Sequence, residues 1–262
     1  MLETRNLTIR FGGHVAVDDV SCSFQTGSLT AIVGPNGAGK TTYFNLISGQ
    51  LKASAGSIWL HGKDISRLSA PSRSLRGLGR AFQLTQLFAG LTVLENVRLA
   101  VQAQRKVGLN LWSLWSDQRA ITERAEELLA SVNLSDRRNA LASSLPHGDQ
   151  RKLEVAILMA LEPTVFMFDE PTAGMSVDDV PVILDLIRNL KTRKDKTILL
   201  VEHKMDVVRE LADRIVVLHN GKLVADGDPA TVIASPVVQE AYLGLSPAST
   251  AAPLSATSEQ TL

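Results

Sequence analysis

The sequence predicts an α/β fold built on a mainly parallel sheet. Leu29-Thr30-Ala31-Ile32-Val33, Val165-Phe166-Met167-Phe168 and Thr197-Ile198-Leu199-Leu200-Val201 are short apolar runs without alternation, the pattern of strands covered on both faces. Stretches with helical patterning separate them, as in strand–helix–strand units. The first run leads directly into a glycine-rich loop that opens a helix.

The other elements follow in chain order. Leu7 to Phe24 reads as short strands with turns at Gly12-Gly13 and near Asp18-Asp19. A helix is predicted from Lys40 to about Ile47, ended by Ser48-Gly49, and Ser57 to Leu60 is a strand before the turn His61-Gly62. Thr92-x-x-Glu95 is a capping box opening a helix that carries Val93, Val97, Leu99 and Val101. A second helix is predicted from Asp117 to Val132. The connector between them, Leu109-Asn110-Leu111-Trp112-Ser113-Leu114-Trp115, is unusually apolar. Its two Trp residues either pack on the neighbouring helices, the ordinary use, or face a partner or a membrane surface. After residue 147 the α/β pattern returns with a helix from Arg151 to about Leu161. A later helix carries Ile183, Leu184, Ile187 and Leu190 on one face, and Pro181, tolerated in a first turn, sets its start near Asp179. The tail over 245–262 is rich in Ser, Ala, Thr and Pro and is expected to be disordered.

The length of 262 residues fits a single α/β domain carrying an inserted subdomain. Lys plus Arg and Asp plus Glu number 27 each, so no net field draws the chain to nucleic acid, which is not expected as a partner. The single cysteine, Cys22, excludes an intrachain disulfide and reads as a buried strand thiol in a reducing compartment. The N-terminal MLETRNLTIRF has no apolar core of a signal peptide. Nowhere do about 18 apolar residues run together, so any membrane role is expected to work through partners.

Gly34-Pro35-Asn36-Gly37-Ala38-Gly39-Lys40-Thr41 fits the phosphate-loop pattern G-x-x-x-x-G-K-[ST]. Its glycines let the backbone wrap so that successive N–H groups point at phosphate oxygens, and the helix that follows adds its positive end. Lys40 is placed to reach β- and γ-phosphates and the Thr41 hydroxyl suits a Mg²⁺ ligand. The alternative, a chance glycine turn, is disfavoured by the strand before it and the helix after it. The strand Val165 to Phe168 ends in Asp169-Glu170, two acids at the mouth of a parallel sheet. There Asp169 is placed to hold a metal, directly or through water, and Glu170 to polarise an attacking water.

These motifs, in this order, resemble an ATP-binding-cassette (ABC) ATPase over nearly the whole chain, to about Gly244. The resemblance implies a P-loop NTPase fold of ABC ATPase type over residues 1–244. It combines a mainly parallel sheet, an N-terminal antiparallel β subdomain and an α-helical subdomain inserted over about 84–160. It also implies ATP and Mg²⁺ as cofactors. Phe11 corresponds to the aromatic residue that stacks on adenine, with Val17 beside it, and Thr42 extends the phosphate-loop contacts of Gly34 to Thr41. Gln83 resembles the glutamine-loop residue that touches Mg²⁺ and senses the membrane subunit, and His203 the switch histidine that contacts the γ-phosphate.

The signature segment departs from the family's Leu-Ser-Gly-Gly-Gln, reading Leu145-Pro146-His147-Gly148-Asp149. In the family this segment caps the nucleotide bound by the opposing subunit. Pro146 offers neither a hydroxyl nor an N–H, and Asp149 brings a negative charge near that nucleotide. The loss of one charge-assisted hydrogen bond, about 1.5–3 kcal/mol, slows turnover without abolishing it. This segment is therefore expected to form the weaker half of a pair with a different ATPase subunit, a homodimer being the alternative. Ser176 in Ala173-Gly174-Met175-Ser176 also stands where aspartate is usual.

Further segments are similar to bacterial branched-chain amino-acid importers: Phe11-Gly12-Gly13, His147 to Glu154, Asp169 to Met175, Asn220 to Gly227 and Ala241 to Gly244. That resemblance implies transmembrane permease subunits, a periplasmic solute-binding protein acting indirectly, and a peripheral location on the cytoplasmic face of the inner membrane. Two other readings stand beside it. One is the ATPase of another transporter, such as urea or amide import or lipopolysaccharide export. The other is a soluble ABC ATPase such as that of iron–sulfur assembly.

Overall fold

The computed structural model describes residues 1–81, 87–105 and 115–243. The chain order begins β1 (Leu2–Phe11), β2 (His14–Phe24), β3 (Leu29–Val33), α1 (Lys40–Ser48), β4 (Ala55–Leu60), β5 (Lys63–Asp64), α2 (Ala70–Ser74) and β6 (Leu78–Ala81). It continues with α3 (Val93–Arg105), α4 (Trp115–Ser131), α5 (His147–Leu161), β7 (Val165–Asp169), α6 (Val180–Thr192) and β8 (Thr197–Val201). The last elements are α7 (Met205–Leu211), β9 (Arg214–His219), β10 (Lys222–Gly227), α8 (Pro229–Ala234) and α9 (Pro236–Leu243).

The three apolar runs lie side by side in one sheet, ordered β10-β9-β3-β8-β7-β6, in which β10 alone runs antiparallel to its neighbour. Their lack of alternation has a direct cause. Phe166, Phe168, Ile198 and Leu200 join the core beneath the helices, whereas Val165, Met167, Leu199 and Val201 join a second core on the opposite face. Each face must therefore be apolar, and each large side chain so buried contributes about 1.5–3 kcal/mol. The second core is closed by an antiparallel sheet ordered β2-β1-β4-β5, with the buried Tyr43 and Phe44 of α1 packed between the two sheets.

Between β6 and β7 the chain forms α3, α4 and α5, which pack on one another through Val97, Val101, Ile121, Ala125, Leu129 and Leu153. The capping box forms as expected. Thr92 N–H donates to Glu95 Oε2 at 2.8 Å, and Glu95 N–H donates to Thr92 Oγ1 at 3.1 Å. On α6 the four buried residues are Ile183, Leu184, Ile187 and Leu190, and Asp179 is the N-cap. Cys22 is a buried free thiol.

Two expectations are corrected. The chain does not turn near Asp18-Asp19, because β2 continues to Phe24. The pairing with β1 slips between Leu7↔Val20 and Ile9↔Val17, and Asp19 adopts φ 55°. The acid pair thus serves a bulge, where an Asp tolerates the left-handed region, and Thr8 Oγ1 accepts the Asp19 N–H at 3.0 Å. Helix α5 starts four residues before Arg151, at His147, since Pro146 sits at the N-cap with φ −57° and ψ 155°. Most of the apolar connector and the C-terminal tail lie outside the described residues, as does Gln83. No helix among the described residues is long and apolar enough to cross a membrane.

Candidate functional site

The glycine loop is pressed against other backbone on two sides. A Cβ at Gly34 (φ 153°) would meet the Leu218 carbonyl oxygen at 2.1 Å, and one at Gly39 (φ 95°) would meet that of Ala16 at 2.4 Å. Any side chain at either position would push the loop off β9 or β2. Gly39 is the N-cap of α1, whose first turn carries no acidic residue and no side-chain cap, so its N–H groups are left for an anion. The Lys40 side chain folds back under the loop, where Nζ donates to the carbonyls of Gly34 at 2.7 Å and Pro35 at 2.9 Å. Burial lowers the pKa of this ammonium, while the charges of Glu170 and Asp169 oppose that shift.

The acids are positioned by strand register. In the parallel pair β7–β8, Asp169 lies opposite Val201, so the two chains leave the sheet together. Glu170 N–H donates to the Val201 carbonyl at 2.9 Å and its backbone takes φ 50°, a strained value for a residue with a side chain. Its Oε1 then stands 2.7 Å from His203 Nε2. The buried Glu202 carboxylate anchors this corner, accepting from Thr172 Oγ1 at 2.8 Å and from the N–H groups of His203 at 2.8 Å and Lys204 at 3.2 Å. Asp169 is buried and paired with Arg80 of β6, Nη2 to Oδ2 at 2.6 Å.

A cleft of about 460 Å³ gathers Phe11, His14, Ala16, Asn36 to Thr42, Glu170 and His203. Phe11 is half exposed at its rim. Val17 does not line it. The pleat of β2 turns His14 and Ala16 to the cleft and Val17 into the core, where it is fully buried.

The signature segment lies apart from this cleft. Leu145 is buried, while Pro146 and His147 are exposed. The Asp149 carboxylate pairs with Arg137 at 3.0 Å and Lys152 at 3.1 Å. Lys152 also pairs with Asp179, which accepts from Ser176 Oγ at 2.8 Å. The two unusual residues, Asp149 and Ser176, are thus joined through one buried lysine. His14, Ala16, Arg80, Glu202, Lys152 and Asp179 were not singled out as site residues by the sequence. Only Glu202, an acid directly after a fully apolar strand, carried the signal that had marked Asp169 and Glu170.

The profile of the ABC transporter family matches residues 17–173, and that of the branched-chain amino acid ATP-binding cassette transporters matches residues 222–245. The chain belongs to the ABC transporter family. The high-affinity branched-chain amino acid transport ATP-binding protein LivG of Salmonella typhimurium is 38% identical over 249 residues, covering 93% of this chain and 98% of the relative. BraF of Pseudomonas aeruginosa, described in the same words, is 37% identical over 251 residues with the same coverage. Among solved structures, the ADP conformation of an ATP-binding cassette of an ABC transporter superposes with a TM-score of 0.76 at 30% identity. It covers 94% of this chain and 99% of that one. This ABC cassette is a nucleotide-binding ATPase subunit that works with transmembrane permeases.

Proposed function

We propose that this ABC ATPase powers an importer of branched-chain amino acids or related small solutes, hydrolysing ATP in the cleft between the glycine loop and the ends of β7 and β8. The observation that carries the reading is the convergence of Lys40, Glu170 and His203 on one cleft lined by loop backbone. Likeness to LivG and BraF supports the cargo.

Each residue has a role in this reading. Phe11 stacks on adenine at the rim, and the amides of Gly34 to Thr42 hold the phosphates. Lys40 exchanges the carbonyls of Gly34 and Pro35 for β- and γ-phosphate oxygens. Glu170 polarises the attacking water. His203 orients Glu170 and contacts the γ-phosphate. The Thr41 hydroxyl, the Asp169 carboxylate and the Gln83 amide are hard oxygen donors that fit Mg²⁺, which takes one or two carboxylates together with substrate phosphates. When bound, Mg²⁺ neutralises charge on the β- and γ-phosphate oxygens.

The site is completed by a second ATPase subunit, whose signature closes this cleft while Leu145 to Asp149 close the partner's. With Pro146 unable to donate a hydrogen bond, a heterodimer in which this signature is the weaker one is favoured. Residues 84–160 act as the helical subdomain. The permease docks on the exposed Phe88 and on an apolar groove of about 360 Å³ between α2 and α5, lined by Ala70, Pro71, Ile157 and Leu158. In this reading the subunit sits peripherally on the cytoplasmic face of the inner membrane, with a periplasmic binding protein acting through the permeases. In proteoliposomes holding the assembled transporter, ATP hydrolysis should rise when binding protein loaded with leucine, isoleucine or valine is enclosed. Stimulation by amide or urea loading alone would reassign the cargo.

A further inference from the structure

The Arg80 side chain is 5% exposed and its Asp169 partner 7%. Among the described residues the guanidinium donates in two directions. Nη2 donates to Asp169 Oδ2 at 2.6 Å, while Nη1 donates to Asn45 Oδ1 at 2.6 Å and to Ser48 Oγ and Gln50 Oε1 at 3.0 Å each. Its carbon lies 5.4 Å from the centroid of the Phe44 ring. These anchors all belong to α1 or to the residues just after it, the same helix that begins with Lys40 and Thr41.

We propose that Arg80 is a positioning residue for hydrolysis, clamping Asp169 through one carboxylate oxygen so that the other stays available to the metal. The inference rests on the reading of Asp169 as the metal-side carboxylate. Among the described residues no hydrogen bond or ion pair reaches Asp169 Oδ1, so the clamp engages one oxygen and leaves its twin. Arg80 brings both a positive charge and a hydrogen bond to this buried carboxylate. The fork is essential. A planar guanidinium serves Asp169 and the end of α1 at once, whereas a lysine nitrogen, with the same charge, reaches one of them.

The test is equilibrium binding of a fluorescent ATP analogue to the full chain, first in EDTA and then across a Mg²⁺ titration. Arg80→Lys should leave the metal-free affinity within about twofold, yet raise the half-saturating Mg²⁺ concentration about tenfold, the loss of one charge-assisted hydrogen bond. Gln50→Ala, which removes one anchor and leaves both charges, should move the Mg²⁺ requirement the same way by roughly threefold and stands in if the lysine variant does not fold. An unchanged Mg²⁺ requirement, or an equal loss with and without metal, would reduce Arg80 to a packing role. Asp169→Asn separates the two readings. If it abolishes the Mg²⁺ dependence while the Arg80 and Gln50 variants do not shift it, the clamp fails alone; if it too leaves the dependence intact, the assignment of Asp169 fails and the clamp with it.

Discussion

His203 Nε2 lies 2.7 Å from Glu170 Oε1, although 33 positions separate them in the chain. The contact follows from the pairing of β7 with β8, which delivers both residues to one corner of the cleft. In the proposed function the imidazole fixes one oxygen of Glu170 and the other meets the attacking water, as a general base requires. Glu170→Gln should keep ATP affinity within a few-fold and cut the hydrolysis rate by about 10²–10⁴. Single-turnover kinetics alongside a binding isotherm checks both halves, and near-normal turnover would remove Glu170 from the base role.

Glu202 accepts three hydrogen bonds in a site only 3% exposed. Glu202→Ala leaves the Thr172 hydroxyl and two backbone N–H groups without their acceptor and should destabilise the fold by about 1–3 kcal/mol. Urea denaturation measures this, and hydrolysis should fall as well because the loop that presents His203 loosens.

Pro146 occupies the N-cap of α5 without any side-chain cap. Pro146→Ser should stabilise the isolated subunit by about 0.5–1 kcal/mol through a new cap. It should also raise ATP hydrolysis in the assembled transporter, where the serine hydroxyl would face the partner's nucleotide. A higher melting temperature with unchanged assembled activity would separate the cap from the proposed signature role.

Burial pushes the Glu154 carboxyl up to about 7, with Arg151 opposing the shift. A carboxyl whose folded pKa is raised binds its proton more tightly in the folded state. Its contribution to stability is full below the unfolded value of about 4.3 and is lost as pH rises through about 7. Glu154→Gln should therefore gain stability relative to the parent between pH 5 and pH 8, a trend that denaturation at the two pH values would reveal.

Much of the fold was legible because the informative residues act locally or by periodicity. The strands β3, β7 and β8 are apolar on both faces, the buried stripe of α6 repeats with helical spacing, and the Thr92–Glu95 box spans a single turn. The glycine loop was legible because Gly34 and Gly39 answer to steric limits that a motif records. What stayed hidden depends on distant partners. Arg80 acquires its place from Asp169, 89 positions away, and from Asn45, Ser48 and Gln50, while Lys152 bridges Asp149 and Asp179. The burial of Val17 was also hidden, because a family pattern carries no information on which side of a bulged strand a residue faces.

In the proposed function the loop from Gly34 to Thr41, with Lys40, holds the phosphates of ATP. Titrating the folded chain with a fluorescent MgATP analogue tests it most directly. Saturable binding is expected, and Lys40→Ala should weaken it by at least about tenfold, since a charge-assisted contact is lost. Absence of saturable binding, or equal affinity in the folded Lys40→Ala chain, would contradict the account.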